Sequence, residues 1–351
     1  MAVALSLLAL SGLLLALGSC IGSTGLENTL AVLWSDTADA PSRAMAQRIV
    51  WDIRLPRTLG AWLAGGLLGL SGALAQGLFR NPLADPYLLG SAAGASLGVS
   101  LALAVLGGAA GLLGASSAGG LQVSLFSGDW LVRLGLTGAA FIGSTLAVLL
   151  TLALARGVQH TLRLLLSGVI VGVVLGALSS LVLLFSPESL QAMQVFMLGS
   201  TAFVSWSACA LMFAVLCVCT VVAWAFSRVL DGLSLGEATA MSLGLPLQRL
   251  RMLLVGILAL ATGTAVAQTG LIAFVGLAAP HLMRALVRCT HGQLLVLSSL
   301  AGAVLLGAAD LLARGLIAPL ELPVGAITAV LGGGYLLVLM QRSTGSRGGA
   351  S

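Results

Sequence analysis

Lysine is absent from this 351-residue sequence; all 16 basic residues are arginine. A nucleotide-binding P-loop needs its Gly-Lys-Ser/Thr, so ATP is not hydrolysed here in that way, and any ATP-driven work belongs to a partner chain. Charge of either sign is scarce. Charged residues make up 8% of the chain, against about 25% in a soluble domain. The five cysteines (Cys20, Cys209, Cys217, Cys219 and Cys289) form no Cys-x-x-Cys pair and read as small core residues rather than metal or redox groups. Nothing resembles an activated nucleophile, a carboxylate pair or a ligand cluster. The sequence therefore implies no catalytic residue, no metal site, no cofactor and no nucleic-acid partner.

What fills the chain instead is apolar. Hydrophobic residues account for 59% and the mean hydropathy is +1.11, which makes this an integral membrane protein. Its apolar runs approach the ~20 residues of a transmembrane helix, not the ~10-residue alternating segments of a barrel. The 46 glycines, with abundant alanine, leucine and valine, suit close helix packing in lipid. Hydropathy breaks predict an all-α, polytopic single domain over 1–351 with about ten transmembrane helices, near 3–22, 58–78, 87–108, 134–155, 163–185, 207–227, 250–268, 271–287, 294–312 and 324–341. "LALGSC", ending at Cys20, looks like a lipoprotein cleavage site, but a signal peptide needs a basic n-region and the first arginine is Arg43. The opening stretch is expected to be an uncleaved first span.

An even span count puts both termini on one side, and arginine decides which. That side's loops hold ten arginines and three acids, Asp85, Asp231 and Glu237; the opposite loops hold six arginines and eight acids. The positive-inside rule places both termini in the cytoplasm. The chain also echoes itself: "LPRTLGAWLAGGLLGLSGALAQG" (55–77) is similar to "LPLQRLRMLLVGILALATGTAVAQTG" (245–270). The two copies run in opposite directions in this topology, suggesting an inverted internal repeat with halves of about 55–185 and 245–341, a transporter signature.

The stretch "RNPLADPYLLGSAAGASLG" (80–98) interrupts this apolar pattern. Pro82 and Pro86 prevent helix continuation, and Asn81 and Asp85 can bond exposed backbone groups. Gly90, Gly94 and Gly98 then recur at every fourth residue, which would place three glycines on one helical face for close approach of another backbone.

"RLPR" (54–57), "SGALAQGLFRNPLADPYLLGSAAGASLG" (71–98), "RLLLSGV" (163–169), "LSLGEATAMSLGLPLQRLR" (233–251), "GLIAFVGLAAPHLMR" (270–284) and "ADLLARGLIAPLELPVGAITAVLGGGYLL" (309–337) together resemble the signature of FecCD-type permeases. These are the membrane subunits of ATP-driven importers for cobalamin, ferric siderophores and haem. The resemblance implies a homodimeric permease in the bacterial cytoplasmic (inner) membrane. Two ATP-binding subunits would sit below it, and a periplasmic or lipid-anchored substrate-binding protein would dock above. It implies a gate from Asn81 and Leu83 with the loop residues His160, Thr161 and Leu162, and a helix behind it seated by Gly90, Gly94 and Gly98. It also implies a coupling segment at about 233–245, centred on Leu235, Gly236 and Glu237. Arg54, Arg57 and Arg314 would meet acidic residues of the binding protein. The cargo reading is haem or a ferric siderophore, with cobalamin as the alternative.

The blander readings stand beside these. His160 suits a solvated loop as well as a pore wall or a passing iron ligand. His281, after a proline inside a span, is expected to be a structural hydrogen-bonded residue, and His291 has no supporting context. Segment 233–245 would serve as an ordinary connection. The three arginines would also serve as residues snorkelling at the membrane surface, balanced by Asp52, Asp310 and Glu321. An ion-coupled carrier or a membrane scaffold are the rivals, but intramembrane carboxylates mark ion coupling and Asp310 is the one acid near a span.

Overall fold

Long uncharged runs in a bilayer settle as helices because every backbone N–H and C=O must find a partner within its own segment. The computed structural model describes residues 2–22, 40–112, 130–155, 161–242 and 247–345, and among these every regular element is helical. In order they are α1 (Ala2–Cys20), α2 (Ala40–Arg48), a π-helical stretch Ile49–Arg54 running into α3 (Leu55–Phe79), α4 (Ser91–Leu112), α5 (Trp130–Leu154), α6 (Thr161–Phe185), α7 (Leu190–Leu198), α8 (Trp206–Ala225), α9 (Ser227–Ser234), α10 (Glu237–Ser242), α11 (Leu247–Thr269), α12 (Val275–Leu286), α13 (His291–Gly315) and α14 (Val324–Gly345).

Seven helices among the described residues are long and apolar enough to cross a membrane: α1, α3 with the segment before it, α5, α6, α8, α11 and α13. The other three expected spans are shorter. α4 and α14 are apolar over Ser91–Leu106 and Val324–Leu337, and α12 has only 12 residues with Pro280 inside it. The chain ahead of α12 is unwound, with Gly270 at φ 70° and Phe274 at φ 68°. Hydropathy averages across such a break and reads one span.

α3 is the central pillar, buried along nearly its whole length and packed on α8, α11, α12 and α13. Lipid removes the hydrophobic drive for helix association, so contact depends on how closely backbones approach. Small residues set that distance here. A Cβ at Gly65 or Gly69 would overlap the Gly302 or Ser298 carbonyl of α13, and one at Gly72 would overlap the Gly276 carbonyl of α12. The two segments of the internal similarity, α3 and α11, lie side by side. They are antiparallel: Thr269, ending α11, accepts from the Ser200 N–H near Val204, which packs on Gly60 early in α3.

The bundle has two ends. One, the arginine end, gathers Arg54, Arg57, the last turn of α13 and the end of α1. There Trp51 and Trp206 stack with ring centroids 5.3 Å apart, and the Trp206 indole donates to the Trp51 carbonyl at 2.9 Å, as tryptophans do at a membrane–water boundary. The other, the turn end, holds residues 80–89, α9 and α10. α6 enters the core through Leu164 and Val171 but turns much of its length outward. Leu166, Val169, Ile170, Val173, Leu181 and Phe185 are all exposed, and Gly172 and Gly176 have open space where a Cβ would lie.

Candidate translocation and coupling site

The three arginines expected on the outer surface lie inside the protein. Arg54, Arg57 and Arg314 are 4%, 7% and 1% exposed. Asp310, wholly buried, accepts from Arg57 Nε at 3.2 Å and from Thr201 at 2.5 Å, and pairs with Arg314 one helical turn away. Both carboxylate oxygens of Glu321 accept from Arg57 Nη1 at 2.8 Å. Arg314 also donates to Thr58 at 3.0 Å and to the Gly18 carbonyl at 3.1 Å, while Arg54 donates to the Cys20 carbonyl at 2.9 Å. The cluster thus ties the end of α1, the start of α3, the 199–201 segment, the end of α13 and the loop before α14. The sequence had suggested either docking charges or snorkelling ones. Guanidiniums with their donors turned inward are neither, because burial requires a hydrogen-bonded counter-charge. Asp52 stays exposed, and the counter-charges of Arg57 and Arg314 are Asp310 and Glu321.

At the turn end, α3 stops where Arg80 takes a left-handed conformation, φ 50°. The Asn81 side chain accepts from the Leu83 N–H at 3.0 Å, and Asp85 caps the short 3-10 turn Pro86–Leu89 by accepting from the Tyr87 N–H at 2.8 Å. Burial pushes the Asp85 carboxyl above its ordinary range, with the Tyr87 N–H opposing that rise. Tyr87 donates to the Ile272 carbonyl at 3.0 Å, and Pro86 seats on Gly276. The turn is therefore fastened to the unwound stretch ahead of α12, while Leu83 stays 52% exposed.

The three glycines after the turn do not share one helical face. Gly90 lies before α4, at φ 80°, and approaches Gly168 and Val171 of α6. Helical periodicity could not reveal this, because a left-handed glycine ends one helix and starts the next. Gly94 and Gly98 do face one neighbour, α5, where a Cβ would overlap the carbonyls of Gly143 and Ala139. Gly94→Leu is expected to force α4 and α5 apart, a misfit of at least about 1–3 kcal/mol by overpacking. Loss of monodisperse protein in mild detergent checks this, and wild-type yield would mean the crossing tolerates a side chain.

Thr161 and Leu162 begin α6, whereas His160 lies outside the described residues. The turn meets α6 through Leu88, whose carbonyl packs on Gly168, about two helical turns beyond Thr161. Segment 233–245 carries an exposed Leu235, at 66%, beside Gly236 at φ 107°. Glu237 starts α10, and residues 243–246 lie outside the described residues. His281 meets the Tyr335 ring edge-on at 5.9 Å. All five cysteines are unpaired, and Cys209 donates to the Pro56 carbonyl at 3.2 Å. No three of His, Cys, Asp and Glu gather for a metal among the described residues. A cavity of about 400 Å³ near the arginine end is lined by Thr137, Phe196, Ser200, Phe203, Gln268 and Thr269 among others, with no titratable side chain. Such walls offer shape and hydroxyls, not chemistry.

Comparison with known proteins accounts for this arrangement of helices and turns. The model of the FecCD transport family matches residues 7–342. The chain belongs to the FecCD transport family. It is 39% identical over 305 residues to the vitamin B12 import system permease protein BtuC of Klebsiella pneumoniae subsp. pneumoniae, covering 86% of this chain and 85% of that one. It is also 39% identical over 303 residues to the BtuC of Salmonella typhimurium, with 86% of each covered. Its fold is similar to that of an inward-facing structure assigned to the metal-chelate type of ABC transporter. That likeness has a TM-score of 0.79 and 28% identity, and covers 96% of this chain and 98% of the other.

One contact of this FecCD chain lies at residues the sequence reading passed over. Asp231 of α9 accepts from the backbone N–H of His291 at 3.1 Å, and the His291 ring Nδ1 stands 2.7 Å from the same oxygen. The partners are 60 residues apart, so periodicity gives no signal. Local chemistry gives none either: Thr290, just ahead of α13, is a capping residue by type, and only the structure shows that its side chain makes no capping bond.

Proposed function

We propose that this chain is the membrane permease of an ATP-driven importer of cobalamin, working as a homodimer with two ATP-binding subunits and a substrate-binding protein. The observation that carries the cargo is the 39% identity, across 86% of the chain, to vitamin B12 permeases. This moves the reading from haem or a ferric siderophore to its alternative. Haem and ferric siderophores remain the second reading, on the fold likeness to a transporter of metal-chelate type. An ion-coupled carrier is disfavoured because Asp310 is engaged by Arg57, Arg314 and Thr201, which leaves it no role in a proton relay.

In this reading the turn end is cytoplasmic, on the arginine count of its loops. Asn81 and Leu83 there, with His160, Thr161 and Leu162, form the gate. Pro86 and Tyr87 hold the turn against Gly276 and Ile272, so a shift of α12 reaches it directly. The exposed faces of α6 and α14, including Leu166, Val173, Val330 and Leu337, are the surfaces offered to the second copy and to lipid. The buried arginines support the outer surface by holding the loop before α14, rather than forming the docking charges themselves.

The deciding experiment reconstitutes the permease with its ATP-binding subunits and binding protein in proteoliposomes. Cyanocobalamin is expected to stimulate ATP hydrolysis and enter the lumen. Stimulation by haemin or a ferric siderophore, with none by cyanocobalamin, would replace this cargo reading. For the coupling segment, Gly236 is a poor mutational probe because φ 107° strains any side chain. Leu235→Glu is the cleaner change: the leucine is exposed, and a charge on an apolar docking residue typically costs about 1–3 kcal/mol of association. Co-purification of the ATP-binding subunit should fall while the permease alone keeps its melting temperature.

A further inference from the structure

α9 has only eight residues, too few to hold a helix or its own direction in isolation. Its neighbours must fix it. Val229, Leu230 and Leu233 are buried in the core, but apolar contacts are non-directional and allow a short helix to slide. Among the described residues, side-chain hydrogen bonds from α9 to another element occur at one place. The Asp231 carboxylate takes the His291 backbone N–H and faces the ring nitrogen through one oxygen, and so supplies from α9 the cap that Thr290 does not give α13. An anion at a helix N-terminus is favoured by the unpaired N–H groups and the dipole there. Around this junction the packing is tight on both sides. A Cβ at Gly77, near the end of α3, would lie 3.3 Å from the Leu230 methyls and 3.4 Å from the His291 ring, and one at Gly292 would lie 2.9 Å from the Ser227 hydroxyl.

The junction stands between two parts of the proposed mechanism. Toward the ATP-binding subunit, Leu235 and Gly236 donate backbone bonds to Gly232 and Leu233 at 3.1 Å, so the coupling residues continue α9. Toward the gate, Gly77 follows Gln76, which donates to the Leu277 carbonyl of α12 at 3.1 Å and accepts from Arg284 at 2.5 Å. Three residues beyond Gly77 the turn at 80–89 begins.

We propose that Asp231 and His291 form the joint through which the coupling segment moves α3 and α13, making Asp231 a positioning residue for energy coupling. The inference rests on the reading of segment 233–245 as the coupling segment. Asp231 is 42% exposed and His291 20%, so the pair contributes little to overall stability. Its contribution is register: it makes α9, α13 and the last turn of α3 move together.

The test uses the reconstituted complex of permease, ATP-binding subunits and binding protein. Cargo moved per ATP hydrolysed is measured, the cargo being whichever of cyanocobalamin and haemin the wild type imports. In Asp231→Ala the complex should assemble and hydrolyse ATP, with the ratio falling about ten-fold, as loss of a charged hydrogen bond implies. Asp231→Asn keeps an oxygen for the His291 backbone N–H and should retain most of the ratio. Asp231→Ala with His291→Ala should be no worse than Asp231→Ala, because one interaction is removed once. A merely structural role would lower melting temperature and leave cargo per ATP unchanged. A wild-type ratio in Asp231→Ala, beside an uncoupled Leu235→Glu, overturns the joint while the coupling segment stands. A wild-type ratio in Leu235→Glu overturns both. If Asp231→Ala fails to assemble, Asp231→Glu, which keeps the charge but lengthens the side chain and so shifts α9 against the start of α13, decides in the same way.

Discussion

Asp310→Ala is expected to be the most damaging single substitution in this chain, with folded permease lost from detergent extracts of the membrane. Asp310 is fully buried and answers two guanidiniums and a threonine hydroxyl. Removing it leaves Arg314, 1% exposed, without its counter-charge, and breaking a buried pair in this way costs about 3–5 kcal/mol. That is a large part of the ~5–15 kcal/mol that holds a typical protein folded. Asp310→Asn keeps the shape and an acceptor for Thr201, so it should fall between. Asp310→Leu with Arg314→Met removes both charges at similar volume and should recover much of the loss. Thermal unfolding in detergent ranks the three, and a wild-type melting temperature for Asp310→Ala would dismiss the cluster as a structural element. Reversing Arg57 and Arg314 to glutamate should likewise fail in folding, and added salt should not alter that, since buried pairs are screened little.

The second large effect is expected at Gly72. Its missing side chain lets α3 meet α12 at the Gly276 carbonyl, where a Cβ would overlap backbone rather than a movable side chain. Pro280, four residues after Gly276, has no N–H to bond that carbonyl within α12, so the crossing sits where the helix is least self-sufficient. Gly276 is also the seat of Pro86, and forcing α12 away displaces the turn at 80–89. Gly72→Leu should therefore abolish transport and most assembly. Gly12→Ala in α1, where nothing lies within 4 Å, is the contrast. It should be tolerated or slightly stabilising, by up to ~1 kcal/mol of helix propensity. Equal behaviour of the two variants in size-exclusion profiles and uptake would remove the argument from close approach.

The helices were legible in the sequence because a bilayer filters for long apolar runs, and the matched positions of α3, α6 and α13 reflect that. α12 was legible as a span but not as a short helix behind an unwound stretch, since hydropathy averages over Gly270–Phe274. The glycine pattern at 94 and 98 pointed to a close crossing; Gly90 did not belong to it, because its φ is invisible to spacing. The arginines show the deeper limit. Their charge stood out at the ends of apolar runs, but Arg57 and Asp310 are 253 residues apart, and only the packed fold shows that they pair. Asp231 and His291 were missed for the same reason. Family motifs drew attention to the turn and to segment 233–245, the proposed coupling segment, while the relatives, not the motifs, favour cobalamin.

The distance between the partners of the charge cluster has a consequence for how the chain is made. Synthesis delivers Arg57 early, with α3, and Asp310 and Glu321 only some 250 residues later. Until then the guanidinium lacks both of its partners in the finished fold, and an unpaired charge is strongly disfavoured in the hydrocarbon. The start of α3 must wait at the water boundary, and it settles to its final depth only after α13 has arrived. A nascent chain halted before residue 310 should leave Arg57 open to water-soluble reagents that cannot reach it in the finished protein. The central pillar of the fold would then be among the first helices inserted and the last to be seated.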